Sequence, residues 1–228
     1  LVLLKITKTV YLNIIFKMKK IIAFSLWGEN PKYCVGAIRN AQLARKFFPE
    51  WTCHFYYDQT VPKIYIAALN EFSNVETIKI DNGSFGAFWR FFSMQKDTIV
   101  LSRDTDSRLS LRERQIVDQW LDTDIKLSVI RDHINHYEFP ILAGMWGIKD
   151  GLSENLMEGI KRYWSTHQYL VDQFYLRDIV WPALKGNVMV HGIKECVWMR
   201  ESYKEVGRDF IGQTYDEHEN TIYDPALV

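Results

Sequence analysis

The sequence predicts an α/β domain with a mostly parallel central sheet flanked by helices. Two observations carry this reading. Short apolar, β-rich runs alternate with segments of helical period along most of the chain, and a complete strand-loop-helix-strand unit opens it. At 228 residues, with 47% apolar and 25% charged residues, the chain is long enough to bury a core without a metal or disulfide staple.

The elements follow in order. Lys20–Leu26 reads as a buried first strand, broken by the turn residues Trp27-Gly28-Glu29-Asn30-Pro31. Val35–Phe48 places Val35, Ile38, Ala41, Leu43, Ala44 and Phe47 at helical spacing and stops at Pro49. Thr52–Tyr57 alternates like a strand. Ile64–Phe72 suits a helix, Val75–Ile80 a short strand, Gly86–Met94 an aromatic helix and Thr98–Ser102 a further strand. Beyond these, Leu111–Leu121 is expected to be helical, Lys126–Ile130 and Ala143–Ile148 extended, Ser153–Trp164 and Gln168–Val180 helical, and Val188–His191 a late strand.

Residues 18–217 form a single expected domain. Residues 1–17 begin with Leu, are interrupted by Lys5, Lys8 and Lys17, and precede Met18, a natural start; they read as a dispensable extension, with an amphipathic surface anchor as the alternative. Residues 218–228 read as a loose tail. Lys plus Arg equals Asp plus Glu at 28 each, which gives no global field for nucleic acid. The cysteines Cys34, Cys53 and Cys196 are odd in number and lack zinc or disulfide spacing, as expected of reduced thiols in a cytoplasmic protein without a transmembrane segment.

The chemistry concentrates at Asp97-Thr-Ile-Val-Leu-Ser-Arg-Asp-Thr-Asp-Ser-Arg108, where a buried strand ends in Arg103, Asp104, Asp106 and Arg108. That is the carboxyl edge at which open α/β sheets hold ligands. Alternation aims Asp104 and Asp106 to one side, and two carboxylates suit Mg²⁺ or Mn²⁺ better than zinc, while arginine forks suit phosphate. A solvated acidic cap is the plainer reading of the same turn. An EF-hand does not fit, because Arg108 and Leu109 stand at its fifth and sixth positions, and no G-x-G-x-x-G follows the first strand.

Ser25-Leu-Trp-Gly28, Phe88-Trp-Arg90, Arg103-Asp-Thr-Asp-Ser-Arg108, Arg112-Glu113, Asp118-x-Trp120, Arg131-Asp-His133, Gly144-Met-Trp-Gly147 and Asp172-Gln173 together resemble a family of GT-A glycosyltransferase-like proteins from microbial and large-virus polysaccharide gene sets. Arg208-Asp-Phe-Ile-Gly212 resembles its C-terminal pattern. The resemblance implies the GT-A fold and a nucleotide-sugar donor, a UDP-sugar by preference, with its diphosphate on a Mn²⁺ or Mg²⁺ at Asp104 and Asp106. It further implies a glycan or other hydroxyl acceptor. Ser25, Leu26 and Trp27 would line the base and ribose, with a core position, the commoner fate of a Trp, as the alternative for Trp27. Arg90 stands alone on an aromatic helix and is either a phosphate partner or a snorkelling side chain. Arg103 or Arg108 would stabilise the departing diphosphate, and Arg131 and His133 would lie beside the turn. Gly144 permits close backbone approach to a sugar and Trp146 offers it a flat face. Asp172-Gln173 resembles the pair placed under the donor sugar, with a helix-start role as the alternative for Asp172. Asp172 or Asp132 is the candidate base, and His191 the candidate third metal ligand. Two other classes stay open: a binding module on the same shell, and a metal-dependent nucleotidyltransferase.

Overall fold

The structure is a computed structural model that describes residues 18–164, 168–197, 199 and 210–222. The extension 1–17, Arg208 and Asp209 of the C-terminal pattern, and the tail from 223 onward lie outside the described residues. The chain runs β1 (Lys19–Leu26), α1 (Pro31–Phe47), β2 (Thr52–Tyr57), α2 (Lys63–Asn70), β3 (Val75–Lys79), a 3-10 helix (Gly86–Ser93) and β4 (Thr98–Arg103). It continues through α3 (Leu111–Leu121), β5 (Leu127–Arg131), β6 (Trp146–Lys149), α4 (Glu154–Ile160), α5 (Val171–Tyr175), a π turn (Leu176–Val180), α6 (Trp181–Leu184) and β7 (Val188–Gly192). The sheet order is β3-β2-β1-β4-β6-β5-β7, and β6 alone runs against its neighbours. The expected class, α/β with a mostly parallel sheet between helices, is the one observed.

Alternation along β1 explains the two cores. Ile22, Phe24 and Leu26 pack with Ala37, Ala41 and Ala44 of α1 and with Val117 and Trp120 of α3. Ile21 and Ala23 pack on the other face with Phe88 and Phe91 of the 3-10 helix and with Tyr175 and Leu176. Ser25 continues that second face, which turns it toward the 3-10 helix.

Several boundaries differ from expectation, each for a local reason. α1 starts at Pro31 rather than Val35, because the Asn30 side chain caps the Lys32 N–H at 3.0 Å and Pro31 occupies the first turn, where its missing N–H costs nothing. The aromatic helix is 3-10, with all but one of its residues buried. The helix expected over Gln168–Val180 starts only at Val171, because Leu170 stands before it with a φ of 64°, and it passes from α5 into the π turn at Leu176. β6 is shorter than the expected Ala143–Ile148, because Gly144 leaves the strand to approach Asp104. Residues 218–222, assigned by the sequence reading to a loose tail, return to the domain: Tyr215 bridges Thr221, and Glu219 meets Arg108. Among the described residues no helix is long and apolar enough to cross a membrane.

Candidate functional site

A cleft of about 410 Å³ opens where β1 and β4 end, on the carboxyl edge of the sheet. Its floor carries Asp104, Asp106 and Asp172; its wall carries Ser25, Leu26, Trp27, Tyr33 and Phe85. Trp27 is 43% exposed and lies against Gly86, where a Cβ would overlap its ring; Phe85 and Trp89 brace it at 6.0 Å. Of the two tryptophans singled out in the sequence, Trp27 lines the cleft and Trp146 does not. Trp146 is fully buried in β6 against Phe91 at 5.4 Å and offers no face to a ligand.

The acidic turn is built on α1. Asn40, fully buried, donates from Nδ2 to the carbonyls of Gly36, Thr105 and Ser107 at 3.0, 3.2 and 2.8 Å, and its Oδ1 accepts the Leu109 N–H at 3.0 Å. One amide thus meets three backbone groups of a turn that has no ladder of its own, along with the Gly36 carbonyl of its own helix. Gly36 lets the helix sit against the Thr105 carbonyl, where a Cβ would overlap. Gly144 does the same from the other side, against the Asp104 carboxylate.

Charges in the cleft come in linked pairs. Arg90 donates from one guanidinium nitrogen to Asp104 and to the Arg103 carbonyl (3.3 Å), and from the other to Asp172 at 3.0 Å. Its backbone N–H is held by Ser25 Oγ at 3.0 Å. Lys32 places Nζ 2.8 Å from Asp106. Burial raises the Asp106 carboxyl above its ordinary range, and the Asp104 charge adds to this against the pull of Lys32. Burial also raises Asp172; Arg90 opposes the shift and Asp104 reinforces it. Asp104 is the exposed member, with 49% of its side chain open.

The structure brings Ser25, Leu26, Trp27, Arg90, Asp104, Asp106, Asp172 and Gln173 to one cleft. Gln173 accepts the Ala143 N–H at 3.2 Å, which ties α5 to the segment before β6. The other expected residues stand elsewhere. Arg103 turns into the core, where it pairs with Glu113 and donates to the carbonyls of Ser102 and Trp146 at 2.7 and 2.8 Å. Arg108 clamps the turn to the C-terminal segment through Glu219 at 2.9 Å. Asp132 is fully buried, held by Arg112 at 2.7 and 2.5 Å and by the Ile211 N–H at 2.9 Å, so its oxygens serve packing rather than a substrate. Arg131 donates to the Pro140 carbonyl at 2.7 Å, and His133 stacks on Phe210 at 4.4 Å. His191 lies on β7, separated from β4 by β6 and β5, with Nε2 3.1 Å from Gln119. Two strands, β6 and β5, therefore stand between it and the strand that carries the carboxylate pair.

Sequence reasoning missed Lys32, Asn40, Tyr33 and Tyr169. Asn40 had a signal: it interrupts the small apolar stripe Gly36, Ala37, Ala41, Ala44 that α1 buries. Lys32 had another, a cation in a first helical turn with no acidic residue beside it, where the helix dipole disfavours it. Tyr169 had none, since only the tertiary fold leaves it 84% exposed at the cleft.

No family model matches the chain, and no curated protein matches it. Solved structures do resemble it. One is a glycosyltransferase involved in the glycosylation of the major capsid of PBCV-1, with 15% identity, 85% of this chain and 90% of that chain covered, and a TM-score of 0.44. Another is the galactosyltransferase LgtC in complex with donor and acceptor sugar analogues, with 16% identity, 75% and 72% coverage, and a TM-score of 0.45. A third is S. aureus TarS 1-349, with 13% identity, 92% and 68% coverage, and a TM-score of 0.48. At these scores the cleft's own residues carry the functional reading.

Those residues suit one kind of cation. Among the described residues no group of three or more His, Cys, Asp or Glu gathers into a metal site. A structural zinc, with four protein ligands, therefore does not fit. Mg²⁺ or Mn²⁺ fits, since such ions are held by one or two carboxylates and complete their shell with phosphate and water oxygens.

Proposed function

We propose that this chain is a metal-dependent glycosyltransferase of the GT-A type, moving a sugar from a nucleoside-diphosphate sugar to a hydroxyl of a glycan or related acceptor. The observation that carries the reading is the joining of Asp104 and Asp172 through Arg90, beside Asp106, at the carboxyl edge of a parallel sheet and under an aromatic wall. Asp104 and Asp106 would hold Mg²⁺ or Mn²⁺, which when bound supplies positive charge to a diphosphate leaving group. Leu26, Trp27 and Tyr33 give the donor base an apolar and aromatic surface, and a UDP-sugar is the preferred donor. Ser25 fixes the backbone of Arg90, and Arg90 in turn orients Asp104 and Asp172. Asp172, at the first turn of α5 and raised by burial, would take the acceptor proton or clamp the transferred sugar. The free thiols of Cys34, Cys53 and Cys196 support a cytoplasmic setting.

The test is Asp104→Asn and Asp106→Asn, each followed by thermal shift with UDP and Mn²⁺, since a ligand that binds the folded state raises its melting temperature by mass action. Both variants are expected to fold and to lose Mn²⁺-linked UDP binding. Retention of UDP binding with unchanged Mn²⁺ dependence in both would remove the assignment.

A further inference from the structure

We propose that Lys32 is a displaceable counter-ion of Asp106 that makes uptake of the divalent cation conditional on the diphosphate. The inference rests on the reading of Asp104 and Asp106 as cation ligands.

Three features support it. Lys32 Nζ sits 2.8 Å from Asp106 Oδ2, and Arg90 is paired with Asp104, so each carboxylate of the pair already has a cation of the protein's own. A buried carboxylate is costly without a partner, and Asp106 is buried. Lys32 stands in the first turn of α1, where the helix dipole repels it and no acidic neighbour on that turn offsets the repulsion. Its placement is therefore explained by Asp106, not by the helix.

The charges make the consequence specific. Asp104, Asp106 and Asp172 against Lys32 and Arg90 are three negative charges against two positive, a net charge of minus one. A divalent cation entering alone meets Lys32 and Arg90 as competitors for the same oxygens. A cation entering with a nucleotide-sugar diphosphate, which carries two negative charges, leaves the net charge unchanged. It also gives the released lysine a phosphate in place of Asp106. Lys32 is thus a positioning residue that acts through the metal site.

Calorimetric titration of Mn²⁺ into the full chain, with and without UDP, tests this on the wild type, Lys32→Met, Lys32→Arg and Asp106→Asn. Without UDP, Lys32→Met is expected to bind Mn²⁺ at least about tenfold more tightly than the wild type, because a competing positive charge has gone. The enhancement of Mn²⁺ affinity by UDP should fall by a similar factor, since the competition that UDP would relieve has already gone, and UDP's affinity should show the same smaller coupling to Mn²⁺. Lys32→Arg, which keeps the charge, should keep most of the enhancement. A gain in affinity is a readout that misfolding does not produce. If Lys32→Met binds Mn²⁺ alone no more tightly, with its UDP enhancement intact, the counter-ion role is overturned while the function reading stands on Asp106→Asn losing Mn²⁺. If the wild type takes up no Mn²⁺ even with UDP, the function reading falls and this inference with it.

Discussion

Gly144 decides how closely the backbone ahead of β6 approaches the acidic pair. A Cβ there would overlap the Asp104 carboxylate, so Gly144→Ala is expected to push that side chain aside. Overpacking of this kind costs about 1–3 kcal/mol. The same substitution should weaken Mn²⁺-linked UDP binding as Asp104→Asn does. Calorimetric titration beside urea unfolding separates the two effects; normal Mn²⁺-linked binding in Gly144→Ala would show that the turn has room to spare. At this scale the sequence was only partly legible. The spacing Asp104-x-Asp106 is local, and a strand end aims it correctly. Which arginine faces the cleft is not local: Arg90, Arg103 and Arg108 are alike in sequence, and only the positions of Glu113 and Glu219 assign the last two to structural pairs. Trp27 and Trp146 differ in the same way, since exposure is settled by what packs against each ring.

α1 is the element that fixes the acidic turn, and Asn40 is the contact through which it does so. Asn40→Ala leaves the carbonyls of Thr105 and Ser107 and the Leu109 N–H without this partner, and an expected loss of about 2–4 kcal/mol follows from buried groups left unpaired. Asn40→Asp is isosteric and keeps the acceptor for Leu109, yet it loses every donation and is expected to be no better tolerated. Urea midpoints of the two variants check this; a change within about 0.5 kcal/mol for Asn40→Ala would place the turn's support elsewhere. Strands and long helices were legible because periodicity is a local signal: Thr52–Tyr57 and Leu111–Leu121 fall where alternation and helical spacing put them. The start of α1 was not, because Gly28-Glu29-Asn30-Pro31 reads as a turn until Asn30 is seen to cap the helix. The order of the sheet was not legible either, since nothing in Trp146–Lys149 announces that this strand runs against its neighbours between β4 and β5.

The whole molecule carries an acid sensitivity in its histidines. Burial lowers His54, His133 and His191 below the ordinary range, and burial together with the neighbouring His133 holds His136 down to about 3. The unfolded chain takes up protons near pH 6.5 while the folded chain does not, so stability is complete above that pH and declines as pH falls toward the folded value. His136 adds a slope of at most about 1.4 kcal/mol per pH unit in that window. His136→Gln is expected to flatten the dependence of the urea midpoint between about pH 6 and about pH 4 by roughly one group's share. An unchanged slope would mean that His136 titrates normally in the folded protein. The same global view gives the C-terminal segment a meaning in time. The Tyr215 N–H holds the Asp106 carbonyl at 2.8 Å, and Glu219 holds Arg108 across 111 residues of sequence. Translation delivers residues one after another, at about 5–20 per second, so the carboxylate turn emerges on the order of ten seconds before the segment that clasps it. The cleft therefore matures on the clock of translation, and a nascent chain stalled short of Glu219 holds its Asp104-Asp106 turn without the strap that fixes it.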